Sequence, residues 1–322
     1  MQYRRLGNSG LKLSEFSFGS WVTFNKQVDT KLAERMFGTC FDAGINFFDN
    51  AEGYEAGESE VVMGNALKAL ARPRDSYCVS SKVFFGGTPS PSPTQQGLSK
   101  KHVTEACHQA LKRLQVNYLD LYFCHRADPD TPIEETVWAM HNLVAQGKVL
   151  YWGTSEWSAA QITEAYEFTL ANHLTPPTME QPQYNLLDRE RFEEEYAPLY
   201  EHYGMGTTTW SPLASGALTG KYLQEIPEGS RATLAGYEWL KKSMVESERG
   251  QERMRRVANL LPIAAELGTT PTLVALAWCL LNDNVSTVIL GASRIEQLEE
   301  NLKALDVVPL LTEEVQQKLA GI

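Results

Sequence analysis

Four polar side chains stand at or just past the ends of apolar runs, and their types are those that carbonyl reduction needs. Asp49 closes INFFD (45–49) and Tyr54 follows in FDNAEGY (48–54). Lys82 closes YCVSSK (77–82), and His125 closes YLDLYFCH (118–125). A free phenol has a pKa near ~10. An ammonium beside it stabilises phenolate and lowers that value. A carboxylate beside the ammonium keeps it charged and oriented. The phenol then acts as a general acid near neutral pH, and an adjacent imidazole orients the oxygen or relays the proton. Protonating an oxygen while a hydride adds to its carbon is carbonyl reduction. Taken singly, each residue has a plain structural use: a surface aromatic, a snorkelling lysine, a turn cap, a packed histidine. Their appearance at successive strand ends carries the chemical reading. Glu52, in the same FDNAEGY turn, has no assigned chemistry and is read as facing solvent.

The elements that must position these groups alternate along the chain. Residues 29–43 place Leu32, Met36 and Cys40 at helical spacing, with Asp29 as N-cap and Gly44 as stop. Similar patterns cover 58–70, 99–114, 132–146, 158–171, 189–203 and 250–267, and a last one carries Leu298, Leu302 and Leu305. Between them fall strand-like runs: EFSFGS (15–20), INFFD, YCVSSK, YLDLYFCH, VLYWGTS (149–155), a short one in PTMEQPQY, MGTTTW (205–210) and VSTVILG (285–291). About eight strands, most followed by a helix, predict an α/β fold of the (β/α)8 barrel type, a single domain over residues 1–322. A doubly wound dinucleotide-binding sheet would carry GxGxxG at its first strand-to-helix turn, and none stands there. Residues 1–13 are expected to cap the barrel bottom as a hairpin. Long connections follow strand three (GGTPSPSPTQQG, 86–97) and strand seven (212–245), and loops of this length are often functional.

In such a barrel the active site lies at the C-terminal strand ends, where Asp49, Lys82, His125 and Ser155 are found. GASR (291–294) lies between strand eight and the next helix, where a helix N-terminus offers N–H groups to an anion. Ser293 and Arg294 suit a phosphate there.

The chain has 322 residues, 43% hydrophobic and 21% charged, the balance of a globular protein with a sizeable core. A net charge of -11 disfavours nucleic acid and anionic membrane surfaces as partners. Cys40, Cys78, Cys107, Cys124 and Cys279 form no CxxC pair, so neither a metal site nor a disulfide framework is expected. Reduced thiols and a cytoplasmic location are the expectation. MQYRRLGNSG lacks the apolar core of a signal peptide. No apolar run approaches the ~18 residues of a membrane span.

With these residues in view, the chain resembles the aldo-keto reductases, in particular the branch of the voltage-gated potassium channel beta subunits and their bacterial and plant relatives. The matching stretches include YRRLGNSGLKLS, GINFFDNAEGY, GESEVVMGNALK, SSKVFFGG, LKRLQVNYLDLYFCHRADPDTPIEETV, YWGTSEWS, TWSPLASGALTGKY and VILGAS, and they span nearly the full length. The resemblance implies a tetrad of Asp49, Tyr54, Lys82 and His125: Tyr54 as general acid, Lys82 as its tuner, Asp49 as partner of Lys82, His125 shaping the carbonyl site. It implies NADPH/NADP+, bound extended across the barrel top. Ser20, Trp21 and Gln27 match its first loop. The resemblance also counts Asp49 among the cofactor-binding positions; Ser155 and Gln181 match positions that hold the carboxamide, and Trp210 matches the aromatic that stacks on the nicotinamide. Ser211, Pro212, Leu213, Ala214, Ser215, Lys221 and Arg231 match the pyrophosphate loop. Gly291, Ser293, Gln297, Glu300 and Asn301 match the adenosine end, which Arg294 joins. Trp21, Tyr54, Phe84 and His125 would form an aromatic pocket for a small carbonyl substrate.

Two positions depart from the channel-type pattern. His125 stands where channel beta subunits usually carry Asn, which favours a working enzyme. Glu156 stands where those relatives tend to have Arg, and an ionised carboxylate cannot donate to a carboxamide oxygen. The expected function is NADPH-dependent reduction of aldehydes and ketones. The alternative is a channel beta-type subunit that senses NADP(H) with little turnover and has a membrane channel as partner. A homo-oligomer, a tetramer or larger, is expected from the resemblance alone.

Overall fold

The computed structural model describes residues 1–21, 27–224, 226–227, 233 and 246–322. Eight parallel strands close into a barrel: β3 (Phe16–Gly19), β4 (Phe47–Asp49), β5 (Cys78–Val83), β6 (Leu119–Cys124), β7 (Val149–Thr154), β8 (Met179–Glu180), β9 (Gly206–Thr209) and β10 (Thr287–Leu290). The ring closes where β10 pairs with both β3 and β9, as in Val288 opposite Phe16 and Thr287 opposite Thr208. In this ring β6 lies diametrically opposite β10. Ahead of the barrel, β1 (Tyr3–Arg5) and β2 (Lys12–Ser14) pair as an antiparallel hairpin.

Alternation along the strands sorts residues between two environments. Phe47, Cys78, Leu121, Phe123 and Met179 cluster with Leu6 and Leu13 of the hairpin inside the barrel base. Their neighbours Phe48, Val79, Tyr122 and Trp152 instead join the larger core between strands and helices. Two residues further along, the inward face turns polar. Asp49 follows Phe47, Ser80 and Lys82 follow Cys78, and Gln181 follows Met179. The period of two that fills the base with apolar groups therefore delivers the polar groups to the top.

The hairpin is fixed to the base by backbone contacts. Asn8 N–H donates to the Gly204 carbonyl at 2.8 Å. Gly7 has φ +54, and a Cβ there would lie 2.2 Å from the Gly204 oxygen, so glycine is required on both counts. The Arg4 guanidinium donates to the carbonyls of Leu280, Val285 and Asn282, at 2.6, 3.0 and 3.3 Å.

Helices flank the strands, several with side-chain N-caps: Asp29 for Thr30–Asp42, Ser99 for Lys100–Leu114, Ser158 for Ala159–Ala171 and Ser247 for Glu248–Glu266. Two regions differ from expectation. Residues 189–203 are not one helix: a wide turn at Arg191–Glu195 meets the helix Ala197–Tyr203 at Tyr196, with Pro198 in its first turn. A helix at Pro271–Cys279 has no counterpart in the pattern reading. Leu273 to Cys279 are all buried, so no polar face marks its period. All five cysteines are buried and unpaired. Among the described residues, no single helix is long and apolar enough to cross a membrane.

Candidate active site

Lys82 is the centre of the polar layer. Its side chain is fully buried, and its ammonium donates to Asp49 Oδ2 at 2.6 Å, the Asn50 carbonyl at 2.8 Å and the Tyr54 hydroxyl oxygen at 3.1 Å. An ammonium has three donors, and these contacts use all three. Burial pulls the Lys82 pKa down, and the Asp49 carboxylate opposes that pull. Asp49 is held in turn through Oδ1, which accepts from Ser80 Oγ at 2.7 Å and Gln181 Nε2 at 3.0 Å. The carboxylate is thus oriented from two strands, β5 through Lys82 and Ser80 and the end of β8 through Gln181.

The turn after β4 brings Tyr54 back over β5. Glu52 N–H donates to the Lys82 carbonyl and Tyr54 N–H to the Ala51 carbonyl, both at 3.1 Å. Here the solvent-facing reading of Glu52 is corrected: it is 2% exposed. Its Oε1 accepts from the backbone N–H groups of Phe84 at 2.9 Å and Gly86 at 3.0 Å, and His102 Nε2 lies 3.4 Å away. Burial lowers the His102 pKa, but the Glu52 carboxylate overrides it and the net shift is upward. Glu52 therefore clips the start of the loop after β5 to the turn that carries Tyr54.

His125 lies just past β6, its ring edge-on to Tyr54 with centroids 5.8 Å apart. Burial first, then the nearby charges of Lys82 and Arg126, push its pKa well below the usual imidazole value. The ring is neutral at physiological pH. Its Nδ1 is buried without a hydrogen-bond partner among the described residues. Phe85, not the expected Phe84, lines the cavity, and it meets the His125 ring at 5.1 Å. Phe84 packs against the helix-facing core, because consecutive residues leaving a strand point to opposite sides.

A cavity of about 930 Å³ opens above this layer, the scale of a site for a large organic ligand. Trp21, Gln27, Ser155, Gln181 and Trp210 line its middle. Ser155 Oγ donates to the Gln181 carbonyl at 2.9 Å, and Gln181 Nε2 also donates to Thr208 Oγ1 at 3.1 Å. Ser211, Pro212, Leu213, Ser215 and Lys221 form the wall past β9. Ser211 and Ser215 hold φ of 56° and 55°, and Ser215 N–H donates to Ser211 Oγ at 3.0 Å. Past β10 stand Gly291, Ser293, Arg294, Gln297, Glu300 and Asn301. There Arg294 precedes the helix Ile295–Leu302, and Gln297 Oε1 accepts from Ser293 N–H at 2.9 Å. Ser20 and Ala214 are buried behind the wall; Ser20 Oγ donates to the Asp49 carbonyl at 3.1 Å. Arg231 lies outside the described residues.

The lining fits a nicotinamide dinucleotide. One side carries Asp49, the half-buried Tyr54 and His125, with the Lys82 ammonium buried beneath them. The other carries Lys221, Arg294 and a helix N-terminus, groups of a kind that hold phosphates.

Glu156, like Glu52, has a use that sequence reasoning missed. Its Oε1 accepts from the Trp210 indole N–H at 2.9 Å and from Gln183 N–H at 2.6 Å, and Arg191 donates to Oε2 at 2.9 Å. It fixes the Trp210 ring, which meets Trp21 edge-on at 5.8 Å. Glu156→Leu removes the acceptor and is expected to weaken nicotinamide binding roughly fivefold or more, the equivalent of about 1 kcal/mol for one unmet buried hydrogen bond. Glu156→Gln keeps an acceptor oxygen and should bind within about twofold of the parent. Titration of indole fluorescence with cofactor reads both. Equal weakening in the two variants would show that charge, not the indole bond, is what matters.

The aldo/keto reductase family model matches residues 15–319. A "Probable voltage-gated potassium channel subunit beta" of Oryza sativa subsp. japonica is 49% identical over 323 residues, covering 100% of this chain and 96% of the relative. A protein of the same description from Arabidopsis thaliana is 50% identical, with the same coverage.

Proposed function

The chain belongs to the aldo/keto reductase family, and from that premise we propose that it reduces small aldehydes or ketones to alcohols with NADPH. Membership implies oxidoreductase activity, and the family generally uses NAD(P)H and small carbonyl substrates. The observation that carries the finer reading is the Lys82 ammonium donating to the Tyr54 oxygen while Asp49 holds it in place. A phenol oxygen that accepts from an ammonium directs its own proton elsewhere, and the cavity is where a carbonyl oxygen can receive it. Lys82 then stabilises the phenolate left behind. The neutral His125 offers the same carbonyl a hydrogen bond without adding charge. Bound NADPH supplies the hydride. Ser155 and Gln181 are assigned to its carboxamide and Trp210 to its ring. Lys221 is assigned to its pyrophosphate, and Ser293 and Arg294 to its 2′-phosphate.

A second reading is favoured by the names of the plant relatives. In it the protein is a cytoplasmic homo-oligomer that binds NADP(H) and reports redox state to a potassium channel. Steady-state assays with NADPH or NADH and a panel of aldehydes separate the two. The reductase reading expects turnover, with kcat/KM higher for NADPH by about tenfold or more. It also expects a pH profile without a break near ~6.5, the ordinary imidazole value, because His125 protonates only well below it. Tight NADPH binding with no turnover of any aldehyde would sink the enzyme and raise the sensor. A limb near ~6.5 that vanishes in His125→Asn would overturn the neutral imidazole.

A further inference from the structure

The reactive end of the cavity carries one charged group that the tetrad does not use. Arg126 follows His125 directly and lines the cavity with Tyr54 and Phe85. Its guanidinium lies over the Phe85 ring, 5.8 Å from the centroid. One of its nitrogens donates to the His125 carbonyl. Among the described residues no carboxylate pairs with it, and its remaining N–H donors have no protein acceptor. Of the two cations that act on His125, Lys82 is already balanced by Asp49, so Arg126 is the one that brings a charge without a carboxylate partner to this end of the cavity. The Asp128 carboxylate two residues on is engaged elsewhere, by Leu98 N–H, Asp130 N–H and Thr131 Oγ1.

Barrel order separates this cation from the others. Arg126 follows β6, whereas Lys221 and Arg294 follow β9 and β10 on the opposite side of the ring. A dinucleotide whose phosphates lie against Lys221 and Arg294 leaves Arg126 to a different anion. A planar guanidinium on an aromatic face matches a carboxylate or a phosphate in a way that a neutral group does not. The exposed face of Phe85 beside it suits the carbon skeleton that joins anion to carbonyl.

We propose that Arg126 binds an anionic group on the substrate, so that the preferred substrates are aldehydes or ketones bearing a carboxylate or phosphate. The proposal rests on the carbonyl-reductase reading of the same cavity. It is tested by comparing kcat/KM, with NADPH, for 4-carboxybenzaldehyde, 4-formylphenyl phosphate and the neutral methyl 4-formylbenzoate. The parent is expected to favour at least one charged aldehyde over the ester by about tenfold or more. Arg126→Met should abolish that preference and leave the ester within about twofold, while Arg126→Lys retains part of it. The two charged compounds distinguish a carboxylate site from a phosphate site.

A binding measurement keeps the two readings apart. Titration calorimetry of the NADP+-loaded protein compares 4-(hydroxymethyl)benzoate and 4-hydroxymethylphenyl phosphate with benzyl alcohol. At least one anion should bind about tenfold more tightly than benzyl alcohol, and Arg126→Met should erase the difference. If no aldehyde turns over yet this discrimination persists, the reductase reading fails and the anion site stands. If the parent binds anions and neutral ligand alike, or binds neither anion, the Arg126 proposal is overturned. Equal weakening of charged and neutral ligands by Arg126→Met overturns it as well.

Discussion

Tyr54→Phe is expected to lower kcat by about 10²- to 10⁴-fold, the usual contribution of a general acid. Nicotinamide affinity should stay within about twofold, because only the hydroxyl is removed and the ring still packs against His125. The loss should appear equally in kcat and kcat/KM, the signature of an interaction made only in the transition state. The hydroxyl is also an acceptor for Lys82 at 3.1 Å, so a small fall in stability will accompany the substitution. A variant that retains most of its kcat would require another proton donor and would remove Tyr54 from the chemistry.

The second large effect is on stability. Among the described residues, Lys82→Met leaves the Asp49 carboxylate, 3% exposed, with Ser80 and Gln181 as its side-chain partners. Removing one member of a buried ion pair costs about 3–5 kcal/mol, because the remaining charge stays desolvated. Asp49→Asn added to Lys82→Met removes that charge and should recover a large part of the loss, without recovering turnover. Chemical denaturation of the parent, the two single variants and the double variant closes the cycle. Losses that simply add would mean that the two groups, 2.6 Å apart, are not energetically coupled.

How much of this was legible in the sequence depended on whether a position is governed by local periodicity. The strands could be read because their apolar runs end in a polar residue, and alternation then fixes which way that residue points. Asp49 and Lys82 are inward for the same reason that Phe47 and Cys78 are. The order of the elements and the barrel that follows from it were legible too, together with the hairpin below. Glu52 was not. Its burial depends on Phe84, Gly86 and His102, more than thirty positions away, and nothing in FDNAEGY signals them. The choice between Phe84 and Phe85 turns on where β5 ends at Val83, a boundary that sequence patterns locate only to within a few residues. Glu156 was noticed as a departure, but its partner Trp210 lies two strands further along the chain, past β9, and could not be inferred from spacing. Arg126 carried a readable signal, a second basic group beside His125 at a strand end, which went unused.

The ring closes between its first and last strands, β3 and β10, and this has a consequence during synthesis. A ribosome delivers the chain from its N-terminus at about 5–20 residues per second. The edge of β3 at Phe16 is made early, yet its partner at Val288 emerges only after most of the chain has been translated. For that interval the nascent sheet has one open edge that Phe16, Ser17 and Phe18 cannot pair. The carbonyls that Arg4 bridges, at residues 280 to 285, also arrive late. Closure of the ring therefore waits until both strands of its seam have been made.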